Sequence, residues 1–196
     1  MCCELLLVTV LLAADTDGVV QNITHHEPEF GSIAEPLHII QESGVIELSG
    51  DVAKAVIEIE HYREGRQLPA PVKSIGVRPG ASGGDRDRIR FALSFVDSDF
   101  LTLGDGKKGH CRLLIKLRAG GVTSTTTHDV AKKECDFSKM TNGGHFGPEA
   151  STAHRIPVFW MIDGRTASVI GGNTPQDVLR KNPKGDLAIV YVRLDE

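Results

Sequence analysis

Aromatic side chains are scarce in this sequence. Phe, Trp and Tyr make up 5% of the 196 residues, with a single Trp and two Tyr. Proteins that bind single-stranded nucleic acid use aromatic rings among their basic residues, because bases stack on those rings. The scarcity of rings and a net charge of −4 argue against a nucleic-acid partner. The hydrophobic core must therefore be built mainly from Val, Ile and Leu.

Long hydrophobic runs are also missing. Leu5–Ala14 is a run of ten apolar or small residues with one Thr, about half the length of a membrane-spanning helix, so no transmembrane helix is expected. The run has the length of a signal-peptide core and ends in small residues. We therefore expect residues 1–14 to be a signal peptide and the protein to be exported, whether periplasmic, cell-surface or secreted. Because no Lys or Arg precedes the run, the alternative is a core strand of a cytoplasmic protein.

Cysteine is present four times but never as CxxC. This excludes a thioredoxin-like motif and a four-cysteine zinc site. Removal of residues 1–14 would leave Cys111 and Cys135, an even pair that can form one disulfide in an exported protein. The alternative is a pair of buried, unreactive thiols.

Sequence motifs of catalysis are absent as well. The chain contains no HExxH and no phosphate-binding loop, and its GxSxG string, GASGG at residues 80–84, lies in a Gly-rich break and not between a strand and a helix as in a nucleophile elbow. Ser151, His154 and Asp136 lie close together in sequence, but most proteins of this size can supply such a trio. We therefore name no catalytic and no cofactor-binding residue, and we expect a non-enzyme rather than an enzyme.

What the chain does contain is glycine, 21 residues of it, and short segments in which apolar and polar residues alternate. Residues 88–96 and 111–117 show this period of two most clearly, and it is typical of half-buried strands. The apolar positions of these segments, together with Trp160, are expected to share one core: Ile89, Phe91, Leu93, Phe95, Leu113, Ile115 and Leu117.

Strand-like segments continue along most of the chain. Leu37–Gln41 and Val45–Leu48 look like two strands around a turn, Thr123–Thr127 like an edge strand, and Ile156–Ile162 like a strand buried on both faces. Thr174 and Pro175 predict the start of one short helix near residues 175–182. The fold predicted is mainly β, an antiparallel two-sheet sandwich or a partly open barrel. Residues 37–196 would form this single domain, preceded by a linker or extended arm at 15–36.

Charge is distributed unevenly. Residues 1–62 hold eleven acids and one base, a charge of −10, whereas residues 63–134 hold fourteen bases and eight acids, a charge of +6. The middle of the chain could present a basic face to an anionic partner. The simpler interpretation is that the acidic and basic parts pack side by side and neutralise each other.

Histidines are the residues most suited to a site. His128, His145 and His154 flank or occupy a long segment, 136–155, and three imidazoles could hold zinc. His25-His26-Glu27 is a second candidate ligand set, although adjacent residues rarely bind one ion together. No other cofactor is implied.

The same long segment is the best candidate for a binding loop, with Asn142, His145, His154 and Arg155 as contact residues. Its glycines let a partner approach the backbone closely. The leading functional hypothesis is a non-catalytic exported β-sandwich that binds an unknown protein or small ligand or takes part in structural assembly. The alternative is a metal-dependent enzyme that uses the loop histidines.

Overall fold

The computed structural model describes residues 20–26, 39–79, 84–97, 108–152, 154–165 and 171–195. Residues 1–14, on which the prediction of export depends, lie outside these ranges. So does Thr166–Ile170, a segment whose sequence also predicts a strand, after the turn at Asp163-Gly164. Within them the chain forms eleven strands and one α-helix: β1 (Val20–His26), β2 (Ile39–Leu48), β3 (Lys54–Arg63), β4 (Arg66–Leu68), β5 (Ile75–Val77), β6 (Arg88–Asp97), β7 (His110–Ala119), β8 (Val122–Ala131), β9 (Asn142–His145), β10 (Arg155–Ile162), α1 (Pro175–Lys181) and β11 (Asp186–Asp195).

The strands form two open antiparallel sheets. Sheet A has the order β1-β2-β6-β7-β8, and sheet B has the order β4-β3-β11-β10-β9, with β5 also pairing with β3. This confirms the predicted two-sheet sandwich. β8 is an edge strand of sheet A, as its run of exposed threonines predicts.

The main core lies between the sheets and is built from alternating residues. In β6, Ile89, Phe91, Leu93 and Phe95 are buried, and β7 contributes Leu113, Ile115 and Leu117 to the same cluster. These seven residues therefore share one core, as the period of two predicts. Their strands pair in register, with Phe91 opposite Leu117 and Leu93 opposite Ile115.

Trp160 does not belong to this core, which corrects the sequence prediction. It lies in a second apolar cluster that also holds Phe146, Ile162 and Val178. Val178 belongs to α1, so the helix helps to cover this second cluster. β10 is buried along almost its whole length because it lies between β11 and β9 and contributes to both clusters.

The helix begins as the sequence predicts. The Oγ1 atom of Thr174 accepts a hydrogen bond from the backbone N–H of Asp177 at 3.2 Å, and Pro175 occupies the first turn. At the other end, the Asn182 side chain donates to the carbonyl of Val178 at 2.9 Å. Both ends of the helix are therefore capped by local contacts.

The prediction of two strands around a turn in the first part of the chain was wrong. Leu37–Gln41 and Val45–Leu48 are not two strands around a turn, because residues 39–48 form the single strand β2. Gly44 lies in the middle of β2, opposite His25 in β1 and Phe91 in β6. Moreover, β1 falls within the segment 15–36 that was expected to be a linker or extended arm.

Candidate metal centre

The candidate site begins with a glycine in β2. Gly44 has His25 as its neighbour on one side and Phe91 on the other. A Cβ atom at this position would lie 2.6 Å from the Thr24 carbonyl oxygen and 2.8 Å from the Phe91 ring. The space left by the missing side chain lets the two rings meet edge to face, with centroids 6.0 Å apart.

A carboxylate from the same strand and an imidazole from the other sheet complete the site. Glu42 precedes Gly44 by two residues, and Gly44 pairs with His25. The side chains of Glu42 and His25 therefore point to the same face of sheet A. His145 ends β9, the edge strand of sheet B. Its Nε2 lies 2.8 Å from the Glu42 Oε2 atom. The contact joins the two sheets at the edge of the sandwich where β1 and β9 lie.

The two imidazoles are stacked. The ring centroids of His25 and His145 are 3.9 Å apart, and the ring planes differ by 18°. One ligand atom from each of His25, Glu42 and His145 can be chosen so that all three lie within 4.8 Å of one another. The His145 side chain is 45% exposed, so the site is open to solvent on that side.

His25 has an unusual environment for a polar side chain. Both of its ring nitrogens are buried, and neither forms a hydrogen bond of normal geometry with any described residue. Burial and the nearby His145 together lower the pKa of His25 to about 4, against the opposing effects of Glu42 and the Phe146 backbone. The imidazole is therefore neutral at physiological pH, the form that binds metals.

Two imidazoles and one carboxylate are a ligand set for transition metals. Zinc, iron, nickel and copper accept nitrogen together with oxygen, whereas calcium and magnesium prefer oxygen ligands alone. An ion at this place would exchange the direct Glu42–His145 contact for two bonds to the metal. It would also provide a partner for a ring nitrogen of His25.

The structure places only one of the three predicted zinc histidines in this group. His145 belongs to it, but His128 and His154 do not. His128 lies on β8 opposite Leu113, and its buried Nε2 has no hydrogen-bond partner among the described residues. His154 directly precedes β10, and its carbonyl accepts a hydrogen bond from the Leu194 N–H.

The residues that sequence reasoning missed are His25 as a partner of His145, and Glu42. The His25-His26-Glu27 motif pointed to the correct strand. However, His26 is exposed while His25 is partly buried, because successive side chains of a strand point to opposite faces. Glu42 has no local signal, since its partner His145 is 103 residues away along the chain.

The predicted binding loop is partly a strand. Asn142 pairs with Ile162 and His145 with Phe159, so residues 142–145 form β9. Arg155 begins β10, lies over the Tyr191 ring at 3.7 Å and contacts Glu60 at 2.7 Å. The expected contact residues thus separate into different surroundings, with His145 beside Glu42 and Arg155 beside Glu60.

Cys111 and Cys135 are both buried free thiols in this structure. Burial raises the pKa of each thiol, which disfavours the reactive thiolate.

Asp136, which follows Cys135, accepts a hydrogen bond from Ser138 at 2.5 Å and pairs with Lys139. The Asp136 carboxylate, which would be the acid of the Ser151, His154 and Asp136 trio, is therefore already paired with Ser138 and Lys139.

Comparison with protein-family models, curated proteins and solved structures finds no match for this chain. None of the helices in the described ranges combines the length and the hydropathy needed to cross a membrane. What defines the protein is thus its architecture, a two-sheet β-sandwich, and the group of His25, Glu42 and His145 at one edge.

Proposed function

We propose that this β-sandwich is a binding module for a divalent transition metal, held by His25, Glu42 and His145. The observation that carries the proposal is the convergence of two imidazoles and a carboxylate from three strands and both sheets. A buried imidazole without a hydrogen bond of normal geometry is costly, and a bound ion would offset that cost.

The chemistry of the site favours zinc among the common ions. Zinc binds imidazole nitrogen at about 2.0–2.1 Å and carboxylate oxygen at a similar distance in tetrahedral sites. Three protein ligands leave a fourth position, and the exposed side of His145 gives solvent or a small ligand access to it. This fits a binding role and also accommodates the alternative of metal-dependent catalysis with a different histidine set from the one predicted.

The test is metal titration of tag-free protein that has been stripped with a chelator. We expect one zinc ion per chain by calorimetry, and one cobalt ion with absorption bands typical of coordinated nitrogen. His145→Ala and Glu42→Gln should each weaken binding by more than about tenfold, a loss above roughly 1.4 kcal/mol.

The matched control is His26→Ala. His26 is adjacent to His25 on the same strand but exposed on the opposite face, so its removal should leave the affinity unchanged. Binding that is lost in His26→Ala but kept in His145→Ala would refute the assignment. Absence of zinc binding at millimolar concentration would refute the proposal as a whole.

A further inference from the structure

A second feature of interest lies at the other edge of sheet B, away from β9. Strand β4 pairs with residues 61–63 of β3, and β5 pairs with residues 55–57. Residues 58–60 of β3 lie between these two short strands, and no described strand pairs with them on that edge. The edge therefore has a gap of three residues, about 10 Å long at the usual rise per residue.

The direction of the backbone groups in this gap follows from the neighbouring hairpin. Glu64 and Gly65 both have positive φ, 52° and 71°, as in the two-residue type I′ turn. The residues that flank such a turn, Arg63 and Arg66, exchange hydrogen bonds, and every second residue of the strand then points its N–H and C=O to the same side. By this alternation the N–H and C=O of Ile59 point into the gap.

The gap opens into a cleft of about 500 Å³, a volume typical of small-molecule sites. Its far wall is the segment 69–74, which leaves the sheet after β4 and returns at β5. Val72 in the middle of this segment packs into the main core, which anchors the wall. Gln67, Ser74 and Arg155 also line the cleft.

Two carboxylates, those of Glu58 and Glu60, form the wall on the β3 side. They differ in how much room they have to accept a hydrogen bond from a ligand. Glu60 already accepts hydrogen bonds from Tyr62, Gln67 and Arg155. Glu58 accepts from Arg193 through Oε1, while its Oε2 atom has a longer contact, 3.7 Å, to Arg155. A donor from a ligand can therefore approach Glu58 at Oε2.

The opposite wall carries a cation. Lys73 is exposed, and no ion pair or hydrogen bond of its side chain is found with any described residue. The cleft thus presents a carboxylate on one side, an ammonium group on the other, and one peptide N–H and C=O from Ile59 between them.

We propose that this cleft binds a short peptide with free termini, of the size of a dipeptide. The ligand's amide pairs with the backbone of Ile59, its ammonium group contacts Glu58, and its carboxylate contacts Lys73. A longer strand does not fit, because β4 and β5 occupy the edge at both ends of the gap. This binding site is independent of the proposed metal centre, which lies at the opposite edge of sheet B.

The experiment is titration of the full chain with Ala-Ala, followed by NMR chemical shifts and calorimetry. We expect saturable binding with shifts at Ile59 and at residues 69–74. N-acetyl-Ala-Ala-amide, which keeps the amides but lacks both charges, should bind more than about tenfold more weakly, because charge-assisted hydrogen bonds are lost. Free alanine, which lacks the amide, should also bind more weakly.

Variants locate the contacts. Lys73→Met and Glu58→Gln should each weaken Ala-Ala binding by about tenfold, whereas Lys116→Met, an exposed lysine on sheet A, should not. His145→Ala should retain dipeptide binding, which separates this result from the metal proposal. The inference is overturned if the capped peptide or free alanine binds as well as Ala-Ala, if Lys73→Met leaves the affinity unchanged, or if Ala-Ala does not bind at millimolar concentration.

Discussion

Single residues decide whether the candidate metal site can exist. Gly44 has no side chain, and this lets Phe91 and His25 meet above the middle of β2. The consequence is a partly buried imidazole that approaches the opposite sheet. A small residue within an otherwise ordinary strand thus creates the space on which the metal ligands depend.

We expect Gly44→Ala to destabilise the protein by about 1–3 kcal/mol, the usual cost of forcing extra atoms into a packed interior. The added Cβ would collide with the Thr24 carbonyl oxygen and the Phe91 ring. Urea denaturation measures the loss. The control is Gly50→Ala, because a Cβ at Gly50 meets nothing within 4 Å. Equal stability changes in the two variants would contradict this account.

The cysteine pair gives a second prediction at the residue scale. Cys111 and Cys135 are buried, and burial raises the pKa of both thiols, so a thiol reagent should not label the native protein rapidly. Labelling of both should follow only after denaturation if they remain thiols. A disulfide between them, the alternative drawn from the sequence, would appear as labelling that requires denaturant and reductant together. Rapid labelling of either residue in the native state would contradict both forms.

At the scale of elements, the pairing of β3 with β11 brings acids and bases together over long sequence distances. Asp186 at the start of β11 is in contact with His61 at 2.5 Å and with Arg63 at 2.9 Å. Burial alone would raise the pKa of Asp186, but the hydrogen bond and charge of His61, together with Arg63, lower it below its ordinary value. His61 is itself almost fully buried, so this contact satisfies a polar group inside the sandwich.

The lowered pKa of Asp186 predicts a loss of stability in acid. A carboxyl group whose folded pKa is below its unfolded value of about 3.9 stabilises the fold above that value and loses this contribution as the pH falls towards the folded pKa. Unfolding free energies measured from pH 7 down to acid should therefore decrease, and Asp186→Asn should show a weaker decrease.

At neutral pH, Asp186→Asn should cost about 1–3 kcal/mol because it weakens the partnering of a buried histidine. Asp51→Asn is the control, since Asp51 is 70% exposed and its contact with Arg86 is 3.7 Å long; such surface pairs contribute about 0–1 kcal/mol. If both variants show the wild-type dependence on pH, the role given to the Asp186 contacts is wrong.

For the whole molecule, the important property is that the site joins two sheets. His25 and Glu42 belong to sheet A, and His145 belongs to sheet B. A metal held by all three would bind the folded sandwich and not the unfolded chain, in which the ligands are far apart. Metal binding and folding should therefore be coupled.

Zinc should raise the thermal unfolding midpoint of the chelator-treated protein. At a free concentration about 100-fold above Kd, the linkage relation gives about 2.7 kcal/mol of added stability. Scanning calorimetry with and without zinc measures this shift. At the same zinc concentration His145→Ala should show at most about half of this added stability, and His26→Ala should show all of it; an equal shift in all three proteins would indicate binding elsewhere.

Local patterns account for the parts of the fold that were predicted correctly. The alternation in β6 and β7 fixes which side chains are buried, because successive residues of a strand point to opposite faces. Thr174 and Pro175 mark the start of α1 because capping uses neighbouring atoms. The same local reasoning failed at Ser43-Gly44. It predicted a turn there because glycine is common in turns, but Gly44 lies within β2, where its missing side chain leaves room for Phe91.

Sequence alone thus determined that this chain is mainly β, a sandwich or partly open barrel with one capped helix, and it predicted His145 and Arg155 as binding residues. Only the tertiary structure decided which residues meet. Trp160 lies in the second cluster, and Glu42 reaches His145 across 103 residues, because strand order and register between the sheets are properties of long-range pairing. The alternation of apolar and polar residues, and with it the buried face of a strand, can be recognised from a short stretch of sequence. A site assembled from three strands exists only once the two sheets have packed.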